Sequence, residues 1–164
     1  MKKLPTNLYH FTSPIQMEFI REDGYINVTN SNLKIDDATL HVEPMYRNGE
    51  IIGKRSVNKY SNYHPVVWLT ANADAAPDEN GLYGAKMQCR LTIPTKGRRW
   101  KFLKWTDFLS KYHADPLIAS SLKQGNGADW RNWYVCEEPI PVSEVSLFEM
   151  LQPDGSYTPV CRSK

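Results

Sequence analysis

Asn7-Leu8-Tyr9-His10-Phe11-Thr12-Ser13-Pro14 is the stretch from which the rest of the chain is read. Leu8 to Thr12 combines aromatic, apolar and β-branched side chains and predicts a short buried strand carrying one histidine. Ser13-Pro14-Ile15-Gln16 follows as a helix opening: Ser13 suits the cap, Pro14 the first helical position, and Gln16 completes a capping box. Ile15, Phe19 and Ile20 share one side of a helix running to about Glu22, which Asp23-Gly24 stops. Tyr25-Ile26-Asn27-Val28-Thr29 alternates and reads as a strand, so the opening unit is strand, short helix, strand.

Downstream, residues 30–64 are weakly patterned and polar and read as a long loop. Inside it, Arg47-Asn48-Gly49-Glu50 is a hairpin signal between Val42 and Ile52. Val66-Val67-Trp68-Leu69-Thr70 is a continuous apolar run, expected as a central strand with Val67 and Leu69 in the core and Val66, Trp68 and Thr70 on the other side. Lys86 to Ile93 alternates, with Met87, Cys89, Leu91 and Ile93 on one face, and predicts a half-exposed strand ended by Pro94. The stretch 96–105 interleaves Lys and Arg with Trp100, Phe102 and Trp105. It reads as a strand with a solvated face or as a basic aromatic contact for nucleic acid. A helix begins near Trp105, with Thr106 or Asp107 at its cap, and a second runs from Asp115-Pro116 to Gly125. Trp130 to Cys136 and Val145 to Leu151 are strands, and the tail from Pro153 ends in a short edge strand. Strands mixed with short helices make a single α+β domain over residues 1–164.

Length and composition narrow the function classes. The 164 residues fit one domain with a real core. No run of about 18 apolar residues marks a membrane span, and the basic start lacks the apolar segment of a signal peptide, so a cytoplasmic protein without membrane contact is expected. Cys89, Cys136 and Cys161 are odd in number and widely spaced, a poor disulfide framework, and no CxxC pair suggests zinc. They read as reduced thiols, the first two packed in strands. His41, His64 and His113 show no metal spacing, and no glycine-rich phosphate loop is present. A net charge of +2 does not by itself call for nucleic acid.

The candidate site residues each carry two readings. His10 is either a satisfied structural histidine or a group offering one donor and one acceptor to a polar ligand, with Thr12 on its face of the strand. Trp68 either covers the core or, with Thr70, stacks on and bonds a flat heterocycle. Glu137 and Glu138 are either exposed charges at a strand end or the source of one carboxylate in a cleft. Neighbours in a strand point to opposite faces, so only one of the two can serve.

In order and spacing, three pieces resemble ADP-ribosyltransferase-like folds. They are Leu8-Tyr9-His10-Phe11-Thr12 with its helix and Gly24, then Val66-Val67-Trp68-Leu69-Thr70, then Trp133 to Pro141 with its paired glutamates. The likeness is to the DNA-targeting ADP-ribosyltransferase toxins and the RNA 2'-phosphotransferases. It implies a split, twisted, mainly antiparallel sheet with short flanking helices and a cleft for NAD as substrate, with no metal. His10 would hold the nicotinamide ribose. Trp68 or Tyr63 would stack near the nicotinamide, with Thr12 and Thr70 lining the pocket. Glu138 or Glu137 would support the oxocarbenium-like ribose. Arg55 or Lys54, on a segment closing over NAD, would meet its phosphates. The implied activity is transfer of ADP-ribose to a protein or nucleic acid, as in a toxin or a phage or mobile-element effector. The pattern departs from the family in carrying Trp68 where a tyrosine stands and in running from the glutamates directly into Pro139-Ile140-Pro141. The same fold also suits a non-catalytic binding module that inhibits a host protein, or a 2'-phosphotransferase using Arg90, Arg98 and Arg99.

Overall fold

A computed structural model describes residues 3–28, 40–58, 65–74, 84–111 and 129–160 together with Ser120 and Lys123, with backbone alone at 40–43, 55–58, 84–85 and 129. The opening strand, β1 (Asn7–Thr12), lies inside a seven-stranded antiparallel sheet. The helix α1 (Pro14–Asp23) starts where its cap is written, Ser13 Oγ accepting from the Gln16 amide at 3.2 Å, and ends at Gly24 with φ 84°, a left-handed position that glycine adopts without strain. The strand expected at 25–29 is shorter, β2 (Tyr25–Ile26) with an isolated bridge at Val28.

Residues 30–64 are not one long loop. A hairpin, β3 (Leu40–Arg47) and β4 (Glu50–Asn58), occupies their middle. Its turn is Asn48 (φ 51°) and Gly49 (φ 82°), two consecutive positive φ values that fit the right-handed twist of the flanking strands. The register slips between Met45 and Tyr46, leaving Ile52 as the extra residue of a bulge.

Next come β5 (Val67–Thr70), a 3₁₀ turn at Gly84–Met87, and β6 (Cys89–Pro94). The strand expected from Lys86 thus starts later. It is also not half-exposed: Thr92 is buried on the face opposite Cys89, Leu91 and Ile93. A 3₁₀ turn at Arg99–Lys101 precedes the edge strand β7 (Phe102–Lys104), and α2 (Trp105–Lys111) begins at the tryptophan itself. A further 3₁₀ turn, Asp129–Asn132, replaces the expected start of β8 (Trp133–Cys136). Then follow β9 (Ile140–Pro141), β10 (Leu147–Leu151) and β11 (Tyr157–Pro159). The helix expected from Asp115 lies outside the described residues except for Ser120 and Lys123, which are helical.

The sheet order is β11-β10-β6-β1-β5-β8-β7, with β2 and β9 paired separately. Both faces of its middle are covered. Leu8, Val67, Leu69, Leu91, Ile93, Tyr134 and Phe148 form the main core with Met17 and Ile20 of α1. On the reverse face, Val66, Trp133 and Val135 pack with Trp105 and Phe108 of α2, joined by Trp68 and Trp130. Two-sided burial explains why the run at 66–70 is continuously apolar.

Candidate functional site

Along β1 the period of two sends Leu8, His10 and Thr12 to the main-core face and Tyr9 and Phe11 to the reverse face. The pairings agree: His10 lies opposite Leu91 and Thr12 opposite Cys89, whereas Tyr9 lies opposite Thr70 and Phe11 opposite Arg90. Six positions of β1 pair with β6, but with β5 the register is the single position Tyr9 and Thr70. Beyond that position the two strands part.

His10 bridges the gap. Its Nδ1 lies 2.9 Å from the Trp68 carbonyl oxygen. A carbonyl only accepts, so Nδ1 carries the proton and donates, and neutral His10 keeps Nε2 as a bare acceptor. Burial lowers the His10 pKa below 6.5, and the bond to the Trp68 carbonyl opposes that only in part. The ring is therefore neutral at pH 7.

Trp68 gives His10 its carbonyl, not its indole. Trp68 pairs with Val135 on the reverse face, and its ring packs edge-on against Trp133 at 5.8 Å. Thr70 stands on the same reverse face, buried, with Oγ1 accepting from the Asn72 amide at 3.1 Å. The structure thus does not bring Trp68 and Thr70 together with His10 and Thr12. Tyr63 lies outside the described residues. Arg55 sits opposite Glu43 in the hairpin, its side chain outside the description, and Lys54 is exposed, its amide donating to Asn27 Oδ1.

The two glutamates leave β8 in different directions. Glu137 bonds Lys111 Nζ at 2.7 Å, and Lys111 belongs to α2, on the tryptophan side. Glu138 pairs with Arg47 Nη2. Arg47 shares a strand face with Met45, which packs against the main core. Glu138 therefore stands on the side of the sheet that His10 and Thr12 occupy. The pairings of Tyr9 with Thr70 and Val67 with Cys136 put the ends of β1 and β8 at the same end of the sheet. The Cys136 thiol donates to the Glu138 carbonyl at 3.2 Å, and burial pushes its pKa up to about 11, which leaves it inert as a nucleophile.

Two arginines take roles that the sequence does not assign them: Arg47 reads only as part of a turn, and Arg90 only as a phosphate-binding candidate of a 2'-phosphotransferase. Arg47 had a weak signal as the charge before a hairpin turn, and nothing local named its partner 91 residues away. Arg90 is the charged member of an alternating strand. It is held by Glu149 (Nη2 to Oε1, 2.9 Å), the Ala73 carbonyl (2.8 Å) and the Tyr157 ring (4.2 Å to the centroid). Among the described residues, no three of His, Cys, Asp and Glu come together as metal donors, and no helix is long and apolar enough to cross a membrane. Comparison with protein-family models, curated proteins and solved structures finds no match.

Proposed function

We propose that the chain is an NAD-dependent ADP-ribosyltransferase in which His10 and Glu138 act from one side of the sheet. The observation that carries this is the parting of β1 from β5 with a neutral His10 across the gap and Glu138 on the same side. The bare Nε2 of His10 accepts from a ribose hydroxyl. The Glu138 carboxylate stabilises positive charge on the ribose as the bond from its C1′ to nicotinamide breaks, and takes the proton of the acceptor hydroxyl or amine as the new C1′ bond forms. Glu138 must first exchange Arg47 for substrate. The acceptor is a protein or nucleic acid. Incubation with labelled NAD and lysate is expected to mark a target. Glu138→Gln abolishes the labelling, whereas Glu137→Gln, on the other side, retains it. Labelling that survives Glu138→Gln overturns the assignment.

The alternative is a non-catalytic binding module, such as an inhibitor of a host protein. It is favoured by Trp68 being engaged in a tryptophan cluster and by both glutamates being paired with cations. It predicts no rise in melting temperature with NAD, whereas a substrate that binds the folded state raises it.

A further inference from the structure

The short edge strand β7 is bracketed by two tryptophans, each beside two cations. At its start, Trp100 is 65% exposed, with the Arg47 guanidinium 5.5 Å and the Lys101 ammonium 5.4 Å from its ring centre, the first paired with Glu138 and the second with Glu144. At its far end, Trp130 has Lys123 at 4.5 Å and Arg131 at 4.6 Å. Between them runs Phe102–Lys104, the last strand of the sheet, so nothing within the sheet covers that side. A depression of about 390 Å³ beside Trp130 is lined by Lys104, Arg131 and Thr106, with Asp107 as its carboxylate. Arg99 and Arg131 are exposed, and neither is held by a carboxylate among the described residues.

We infer that the β7 edge binds single-stranded nucleic acid. An exposed indole offers a flat face on which an unpaired base stacks, and the exposed guanidiniums of Arg99 and Arg131 along the same edge meet the phosphates of the strand. The open indole of Trp100, the exposed Arg99 and Arg131, and the half-buried Trp130 at the far end of the strand lie along one edge and form a track, not an isolated contact. An acidic peptide is the poorer fit, because carboxylates use the cations and leave the open indole unused. Duplex DNA is poorer still, because its bases are already stacked. This inference does not rest on the NAD reading.

The test is fluorescence anisotropy of the full chain with labelled single-stranded DNA and RNA oligonucleotides, without NAD. Matched duplex and poly-glutamate serve as competitors. Binding to the single strand is expected, weakening as salt rises. Trp100→Ala lowers the affinity about tenfold without changing the melting temperature, and Arg131→Glu lowers it and flattens the salt dependence. Failure to bind, equal competition by duplex or poly-glutamate, or undiminished affinity in Trp100→Ala overturns the inference. NAD is absent throughout, so a negative result here leaves the transferase proposal standing, and the converse also holds.

Discussion

A proton added to His10 has a poor home. The ring is half-buried, its Nδ1–H is committed to the Trp68 carbonyl, and a second proton on Nε2 brings a charge that no carboxylate among the described residues compensates. In the unfolded chain His10 takes up that proton near pH 6.5, and in the folded chain only below it. Between those values the unfolded state binds more protons, so stability rises with pH. The contribution is whole above 6.5 and is lost as the pH falls toward the folded value. His10→Asn places an amide N–H where Nδ1–H stands and cannot titrate. Melting curves from pH 7 down to pH 5 are expected to fall less steeply for this variant than for the parent. His10→Ala leaves the Trp68 carbonyl unpaired and costs about 1–3 kcal/mol. That His10 sits in a first strand was legible from Leu8 to Thr12. That it spans the sheet to a residue 58 positions away was not, because a backbone carbonyl leaves no trace in side-chain identity.

Among the elements, the β3–β4 hairpin is where sequence and structure diverge most. Its turn was readable from Asn48-Gly49. Its strands were not, because long polar side chains mask the period of two in a ribbon with little core to face. Gly53 shows what holds it. A Cβ built there meets Pro139 Cγ at 2.4 Å and Pro139 Cβ at 2.5 Å, so the hairpin backbone lies directly on the proline that follows Glu138. Pro139 is a rigid ring and cannot step aside. Gly53→Ala is expected to lower stability by about 1–3 kcal/mol in urea titrations, the usual scale for overpacking. It also loosens the ion pair of Arg47 with Glu138, since the hairpin that carries Arg47 has moved. A parent-like midpoint in that titration means the hairpin is not seated on Pro139. The helix α1 is the opposite case: Ser13, Pro14 and Gly24 mark its ends chemically, and its ends fall there.

Across the whole molecule, the half of the sheet built from β6, β10 and β11 is tied by one buried ion pair. Arg90 and Glu149 face each other across β6 and β10, with side chains 14% and 7% exposed, and Arg90 also lies over Tyr157 of β11 and Tyr9 of β1. Removing Glu149 leaves Arg90 only the Ala73 carbonyl and the exposed Asp74 carboxylate 3.7 Å away as polar partners among the described residues. Glu149→Ala is expected to cost about 3–5 kcal/mol by chemical denaturation. Replacing both residues with apolar side chains of similar size is expected to recover most of it, and a double variant as unstable as the single one points to another role for Arg90. The α+β class was legible because strands and helices announce themselves locally. The strand order and the distribution of site residues over two faces depend on pairings between distant segments, which no local pattern encodes.

The tryptophans divide the molecule in a way that light can read. Trp68, Trp105, Trp130 and Trp133 are linked by ring contacts of 5.7 to 6.2 Å on one face of the sheet, while Trp100 stands apart at the edge. The linked indoles exchange excitation among themselves and report the integrity of the interior. Trp100 emits from water at longer wavelength and lies open to collisional quenchers. One emission spectrum therefore holds two channels, one for unfolding and one for occupancy of the edge, and Trp100→Phe removes the second without touching the first.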